Sequence, residues 1–451
     1  MTHPPAGQGV QPRPTLSLAD AVAMIVGIVI GVGIFKAPSI VAGNVASETV
    51  FLALWVAGGV MSLVGALCYA ELGSAYPNAG GEYFFLRRAY GDWLGFLFAW
   101  ARMTVIQTGA IAAIAFVAGD YATQLLSLGE KSSAIYAALA VAAITLLNIV
   151  GTTVSKSLQN ALMVVLALSV LGVVLAGLSA TPAAAAAPAA ADTAVPLFSG
   201  LALIFILLTY GGWNEAAYLT AEMRDTKRGI VRALIIGILI ITSLYLLLNY
   251  AYLNVLGLAG MRESKAVATD LMKVTWGSAG ALVLGAAVVA AALSTLNATI
   301  FTGARTNYAL GRDFALFGVL GKWHARGAPV NALLLQGAIA LALVLLASFT
   351  PDGFQTMVAY TAPAFWLFFL LTAISLFVLR REPPVNAEPF RVPLYPMTPI
   401  LFCAMCAYML YSSFNYAMSL DPGSIGAIVG IAMLCAGIPV MLVARGTEQQ
   451  S

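Results

Sequence analysis

Apolar residues run along this chain in long unbroken stretches instead of alternating with polar ones, and short polar segments separate them. A stretch of about 20 apolar residues is what a helix needs to cross a hydrocarbon core roughly 30 Å thick. Twelve stretches qualify, at about 17–44, 49–75, 91–123, 133–151, 158–180, 196–221, 230–257, 276–303, 330–349, 355–379, 397–418 and 423–444. They are too long for barrel strands, and lipid offers the backbone no hydrogen-bond partner, so each is predicted to be a helix. The expected fold is an all-α membrane protein of twelve transmembrane helices. Short tails lie at 1–16 and 445–451, and the intervening loops leave no room for a soluble domain.

Composition agrees. The chain has 451 residues, 61% hydrophobic and 9% charged, too little charge to cover a water-exposed surface. Twelve spans place both termini on one side. Arg13, Arg87, Arg88, Lys156, Arg224, Lys227, Arg228, Arg232, Arg305, Arg312, Lys322, Arg326, Arg380, Arg381, Arg391 and Arg445 then fall on that side, and Lys131, Arg262, Lys265 and Lys273 on the other. Sixteen against four predicts cytoplasmic termini by the positive-inside rule, and a lost or added span would scramble the pattern. Lys36 and Arg102 remain at membrane depth. The first span is too long for a signal-peptide core and is expected to be retained. A bacterial-type inner (plasma) membrane is the expected location. No basic block suggests nucleic acid, and no obligate protein partner is expected. The Ala/Pro run at 183–191 reads as a tolerant linker. Cys68, Cys403, Cys406 and Cys435 all lie in apolar runs, and no disulfide is expected.

Two spans carry clustered glycines. The first contains Gly27, Gly31 and Gly33, the sixth Tyr210-Gly211-Gly212-Trp213. Glycine costs a helix roughly 1 kcal/mol relative to alanine and lets the backbone leave helical geometry. If spans 1–5 and 6–10 are two halves, the breaks occupy matching positions, the pattern of a carrier built from inverted repeats. A broken turn frees N–H groups at one half-helix end, which hold a carboxylate, and carbonyls at the other, which hold a cation. A site with both suits a zwitterionic amino acid. The competing reading is close helix packing through the GxxxG-like spacing of Gly27 and Gly31.

These residues resemble a known family. Tyr69-Ala70-Glu71-Leu72-Gly73, followed by Tyr76-Pro77 and Gly80-Gly81-Glu82-Tyr83, is similar to the hallmark after helix 2 of amino acid–polyamine–organocation (APC) superfamily permeases. Gly31-Val32-Gly33-Ile34-Phe35 resembles their helix 1 break. Tyr210-Gly211-Gly212-Trp213-Asn214, with Glu222 beyond, resembles the helix 6 break of the L-type branch, and Asn297 to Arg305 with Gly311-Arg312-Asp313 the end of helix 8. The resemblance implies the five-plus-five inverted repeat of the bacterial leucine transporter, here 17–180 and 196–379, with accessory helices 11 and 12 at 397–444. It implies substrate between the breaks, its carboxylate on the backbone of Gly31, Val32 and Gly33 and its amino group on carbonyls near Ile30 and Tyr210. Two positions depart from the family: Leu208 stands where the L-type branch has an aromatic gate, and Leu166 where several members have a lysine.

Coupling is open at this level. Ala291, Ser294 and Thr295 are similar to the A-x-x-T-S set that, with helix 1 carbonyls (here Gly27 and Ile30), holds sodium in coupled relatives. Oxygen donors suit a hard cation, and interhelical hydrogen bonding is the plainer role. Sodium symport, ion-free substrate exchange and proton coupling stand as alternatives, with Na+ the one ion implied and no other cofactor. Arg102 and Glu215 are the deepest charges and candidates for coupling or gating, paired with each other or serving as an interfacial anchor and a structural partner. Glu71 and Glu82 read as gate or loop fasteners, and Lys36 is expected to snorkel outward. Leu208, Tyr210 and Trp213 suggest an apolar side-chain pocket, hence neutral amino acids. A proton-coupled carrier of cationic amino acids or polyamines would want an acidic pocket, for which Glu215 is the nearby candidate. Only His3 and His324 are present, both outside the spans, and neither a catalytic set nor a phosphate-binding loop accompanies them, so an enzyme or an ATP-driven pump is not expected. A small-solute channel is the alternative of another class. A major-facilitator carrier would show a long basic loop after the sixth span, which is short here.

Overall fold

The computed structural model describes residues 17–78, 80–150, 156–180, 199–215, 229–324, 328–386, 388–419 and 421–448. Among them every regular element is helical. In order the helices are α1 (Leu18–Val29), α2 (Ala37–Gly43), α3 (Glu48–Ala75), α4 (Gly81–Tyr90), α5 (Asp92–Leu125), α6 (Ser132–Val150), α7 (Lys156–Ser179), α8 (Gly200–Thr209), α9 (Gly229–Glu263), α10 (Val267–Asp313), α11 (Val330–Ala347), α12 (Gly353–Leu379), α13 (Met397–Ala417) and α14 (Ile425–Glu448). Nine described helices are long and apolar enough to cross a bilayer, and three shorter apolar ones complete the twelve expected segments: α1, residues 164–179 of α7, and α8.

Local chemistry sets several helix starts. Ser17 and Asp20 form a reciprocal capping box at α1, and Ser47, Ser199 and Asp352 cap α3, α8 and α12 through side-chain oxygens. Large side chains such as Leu168, Leu239 and Leu345 are exposed on the outer faces, as a lipid-facing perimeter requires. The linker at 183–191 and Glu222 lie outside the described residues.

Packing sorts the helices. The segments α1, α2, α3, α8 and α9 pack on one another, and α5, α6, α10 and α11 form a second group. Helix α7 touches both α9 and α10, and α12 touches both α3 and α5. The two groups are therefore joined through α7 and α12 as well as directly. Helix α12 carries Pro363 inside it, which removes one ladder hydrogen bond and favours a bend.

Two boundaries differ from the sequence expectation. The apolar pattern opens the eighth span at 276, but α10 begins at Val267 and turns at Gly277 (φ 71°). The seventh continues past 257 to Glu263 across a turn at Gly257 (φ 62°). Charged residues such as Arg262, Asp270 and Lys273 end an apolar stretch, but they do not end a helix when a glycine redirects it toward the surface. Residues 102–106 inside α5 form a π-turn, and the Tyr360 hydroxyl donates to the Thr104 carbonyl at 2.7 Å.

Candidate functional site

The first break follows Val29. Ile30 leaves the helix (ψ 85°), Gly31 is extended, and the chain resumes as a tight turn at Val32–Phe35 before α2. The Gly31 amide donates to the Val29 carbonyl at 2.7 Å, and so is withdrawn from Gly27, its helical acceptor four residues back. The Gly27 carbonyl is thereby released from the ladder. The first N–H groups of the new turn, on Val32 and Gly33, have no partner within it, and no side chain caps it. A side chain at Gly31 would meet nothing closer than the Val29 carbonyl at 3.9 Å, so open space lies beside this backbone.

The second break follows Thr209. The Gly211 amide turns back to the Leu208 carbonyl at 3.1 Å, Gly212 takes φ 110°, and the Asn214 side chain accepts from the Gly212 amide at 3.3 Å. Only glycine adopts this left-handed conformation cheaply. A Cβ on Gly212 would also lie 3.0 Å from Ile28 Cγ2 and 3.3 Å from the Ile28 carbonyl. A Cβ on Gly33 would find the Thr209 side chain as its nearest neighbour, at 3.8 Å. The two interrupted helices thus lie against each other at their breaks.

A residue absent from the sequence expectation ties them. The Tyr245 hydroxyl on α9 lies 2.9 Å from the Val29 carbonyl and 3.2 Å from the Thr209 carbonyl. The rings of Tyr210 and Trp213 make aromatic contacts within the bundle. Tyr210 packs edge-on against Tyr245 and donates to the Trp55 carbonyl at 3.0 Å. Trp213 packs among Tyr69, Phe369 and Phe402. Leu208 is half-buried and packs against the core. The aromatic residues fix the ends of the broken helix, and its backbone meets α1.

Ala291, Ser294 and Thr295 sit on α10, which packs against the Val32–Phe35 turn. Their oxygens and the freed Gly27 carbonyl are hard donors of the kind sodium takes. The Thr295 hydroxyl, however, donates to the Ala291 carbonyl at 3.0 Å and so engages two of those oxygens with each other.

The charged candidates divide. Glu71 is fully buried on α3 and receives a two-pronged bond from Arg380 (2.6 and 2.7 Å), one from Arg391 (3.1 Å) and one from the Val392 amide (2.7 Å). Burial works against the Arg380 charge, but the bonds it donates to Glu71 and the charge of that carboxylate outweigh it and hold the guanidinium above its ordinary range. Glu82 accepts from the Tyr69 hydroxyl at 2.7 Å. Arg102 lines a cavity of about 70 Å³ together with Glu82, Gln107, Asn214 and Phe369. The side chain of Glu215 lies outside the described residues, so the expected Arg102–Glu215 pair falls there too. Lys36 overturns its expectation. Instead of snorkelling outward it is 2% exposed, with Nζ 2.7 Å from Asp120 and 2.9 Å from Asp352. Two carboxylates brought together by the fold offer a partner that the lysine would otherwise seek at the interface.

The sequence matches the amino acid permease family over residues 16–437. It is 31% identical over 410 residues to the human b(0,+)-type amino acid transporter 1, covering 88% of this chain and 81% of that protein. It is 26% identical over 433 residues to the serine/threonine exchanger SteT of Bacillus subtilis, covering 94% and 95%. It is 29% identical over 446 residues to the rat large neutral amino acids transporter small subunit 2, covering 96% and 81%.

Proposed function

The chain belongs to the amino acid permease family, and from that premise we propose that it is a secondary active carrier exchanging neutral amino acids across a bacterial-type inner membrane by alternating access. The observation that carries this reading is the pair of adjoining helix breaks, with unpaired amides at Val32 and Gly33, released carbonyls at Gly27 and Ile30, and open space beside Gly31. The substrate carboxylate meets the backbone of Gly31, Val32 and Gly33, and its ammonium the carbonyls near Ile30 and Tyr210. Residues 17–180 and 196–379 act as the mirrored halves, with 397–444 accessory and both termini cytoplasmic.

Exchange without a bound ion is the favoured coupling. The Thr295 hydroxyl already engages the Ala291 carbonyl. The Bacillus relative is itself named an exchanger. Sodium symport is the second reading, supported by the Ala291, Ser294 and Thr295 spacing and the freed Gly27 carbonyl. Neutral substrates are supported by a receptor built of backbone groups, and by the names of the Bacillus and rat relatives. The chain is proposed to work without an obligate protein partner.

The test is uptake by the purified chain alone in proteoliposomes, with a panel of labelled amino acids that includes lysine and arginine. Uptake of neutral amino acids that requires internal amino acid and ignores a sodium gradient is expected. Uptake driven by sodium into empty vesicles would overturn the exchange reading, and a preference for cationic substrates the neutral one.

A further inference from the structure

The last turns of α10 carry Arg305 and Arg312, and the chain beyond them doubles back against the same helix. Two glycines permit that close return. A Cβ on Gly311 would collide with the Gly321 amide nitrogen, and one on Gly321 would lie 2.7 Å from the Gly311 carbonyl oxygen. Two further contacts hold the returning segment. Asn331 donates to the Val319 carbonyl at 2.8 Å, and the Trp323 ring stands edge-on to Tyr308 with centres 5.0 Å apart. Trp323 therefore lies beside α10. The Arg305 guanidinium is 5.8 Å from its ring centre and 3.2 Å from that of Phe301.

The cations here have no counter-charge within the fold. Among the described ion pairs none involves Arg305, Arg312 or Lys322. Arg305 donates to the Phe301 carbonyl at 3.1 Å, the one hydrogen bond described for a group with five N–H donors. Asp313 is the single acidic residue between 305 and 324, and it lies within electrostatic reach of Tyr83 and Arg87 on α4. The same segment exposes large apolar side chains: Leu316 is 40%, Val319 62% and Trp323 46% exposed. Hydrocarbon accepts such surface and water does not, and an indole is a usual marker of the headgroup level of a bilayer. Cations beside exposed apolar side chains call for a ligand that is both anionic and oily. A soluble phosphate meets only the first demand, and an anionic phospholipid meets both.

We propose that Arg305, Lys322 and Trp323 form a binding site for the headgroup of an anionic phospholipid, with Leu316 and Val319 set in the hydrocarbon beneath it. The guanidinium offers its unused N–H groups to two phosphate oxygens, a pairing its planar fork suits. Lys322 is exposed and adds a mobile charge. The site requires only that the chain lie in a bilayer, and it stands or falls independently of the carrier reading. Its occupant ties to the membrane the end of α10, the helix that also carries Ala291, Ser294 and Thr295.

Quenching of Trp323 by brominated lipid provides the test. The full-length chain is placed in phosphatidylcholine vesicles that contain the same small fraction of either phosphatidylglycerol or phosphatidylcholine brominated high in its acyl chains. The Trp323 share of the fluorescence is the difference between each protein and the same protein carrying Trp323→Phe. Brominated phosphatidylglycerol is expected to quench that share several-fold more than brominated phosphatidylcholine, and the preference should shrink as salt is raised. Because Lys322 is exposed, its charge can be reversed without disturbing the packing. Lys322→Glu should remove the preference, Lys322→Arg should keep it, and Arg305→Gln should lower it. Equal quenching by the two lipids in the wild type, or a preference untouched by Lys322→Glu, would overturn the site. Loss of the preference when chloride is replaced by inorganic phosphate at equal ionic strength would also overturn it, by giving these cations to a soluble anion.

Discussion

The hydroxyl of Tyr245 lies 2.9 Å from the carbonyl oxygen of Val29, the last helical residue before the first break, and 3.2 Å from the carbonyl of Thr209, the last before the second. One hydroxyl proton thus serves the ends of both interrupted helices. Tyr245→Phe keeps the ring, and with it the packing against Trp55 and Tyr210, and removes only the bridge. A hydrogen bond of this kind contributes about 1 kcal/mol net, a roughly fivefold effect. The expected result is a rise in KM of about that size, with normal yield and a melting temperature lowered by only about 2–4 °C. Wild-type kinetics in this variant would mean that the alignment of the two breaks does not depend on Tyr245.

Gly31 and Gly212 should fail in different ways. Beside Gly31 there is open space and the backbone is extended, a conformation any residue adopts. Gly31→Leu should therefore fold, yet fill the space proposed for the substrate, and lose binding. Gly212 has φ 110° and Ile28 close against it. Gly212→Ala is expected to lose about 1–2 kcal/mol of stability, read as a lower melting temperature in detergent. Retained uptake in Gly31→Leu would remove the backbone site.

The buried Glu71 holds α3 to the residues that follow α12. Glu71→Gln leaves Arg380 without its charged partner, while Arg391, half exposed, loses little. A destabilisation of about 2 kcal/mol is expected from the lost charge-assisted bonds. The segment 380–396 should then become the earliest site of proteolytic nicking in vesicles that expose the face carrying it. An unaltered melting temperature and cleavage pattern would show that the cluster fastens nothing.

Much of this is legible in the sequence, and the reasons differ by element. The segment count and both breaks are local properties, written in twenty-residue apolar runs and in glycines a few positions apart. Glu71 is readable as a fastener from its motif, but its partner Arg380 is 309 positions away, and no local pattern pairs them. Lys36 misleads for the same reason. Taken alone, a lysine at membrane depth snorkels, and only the fold brings Asp120 and Asp352 to it. Tyr245 stands in an ordinary apolar run, and nothing in its neighbours marks a hydroxyl directed at two broken helices. The aromatic residues Tyr210 and Trp213 suggest pocket walls because they flank the break, and the fold sets their rings against Trp55 and Phe369, 155 and 156 positions away in sequence. Sequence places a residue beside a break but leaves open the direction of its side chain.

Thr295 decides between the two coupling readings. Its hydroxyl donates to the Ala291 carbonyl at 3.0 Å, the back-bonding that threonine commonly makes inside a helix. If that is its whole role, Thr295→Val removes one weak intrahelical bond in a residue of similar shape, and exchange should proceed at near the wild-type rate with sodium or with choline outside. If Thr295 ligates sodium, the hydroxyl must turn from Ala291 to the ion, and its loss removes one of about five oxygen ligands, fewer than a hard cation normally keeps. The concentration of sodium needed for half-maximal uptake would then rise steeply. We expect the first outcome, measured as counterflow of whichever labelled amino acid the wild type carries, at several sodium concentrations. A sodium dependence that appears in the wild type and weakens in Thr295→Val would assign the coupling to the ion.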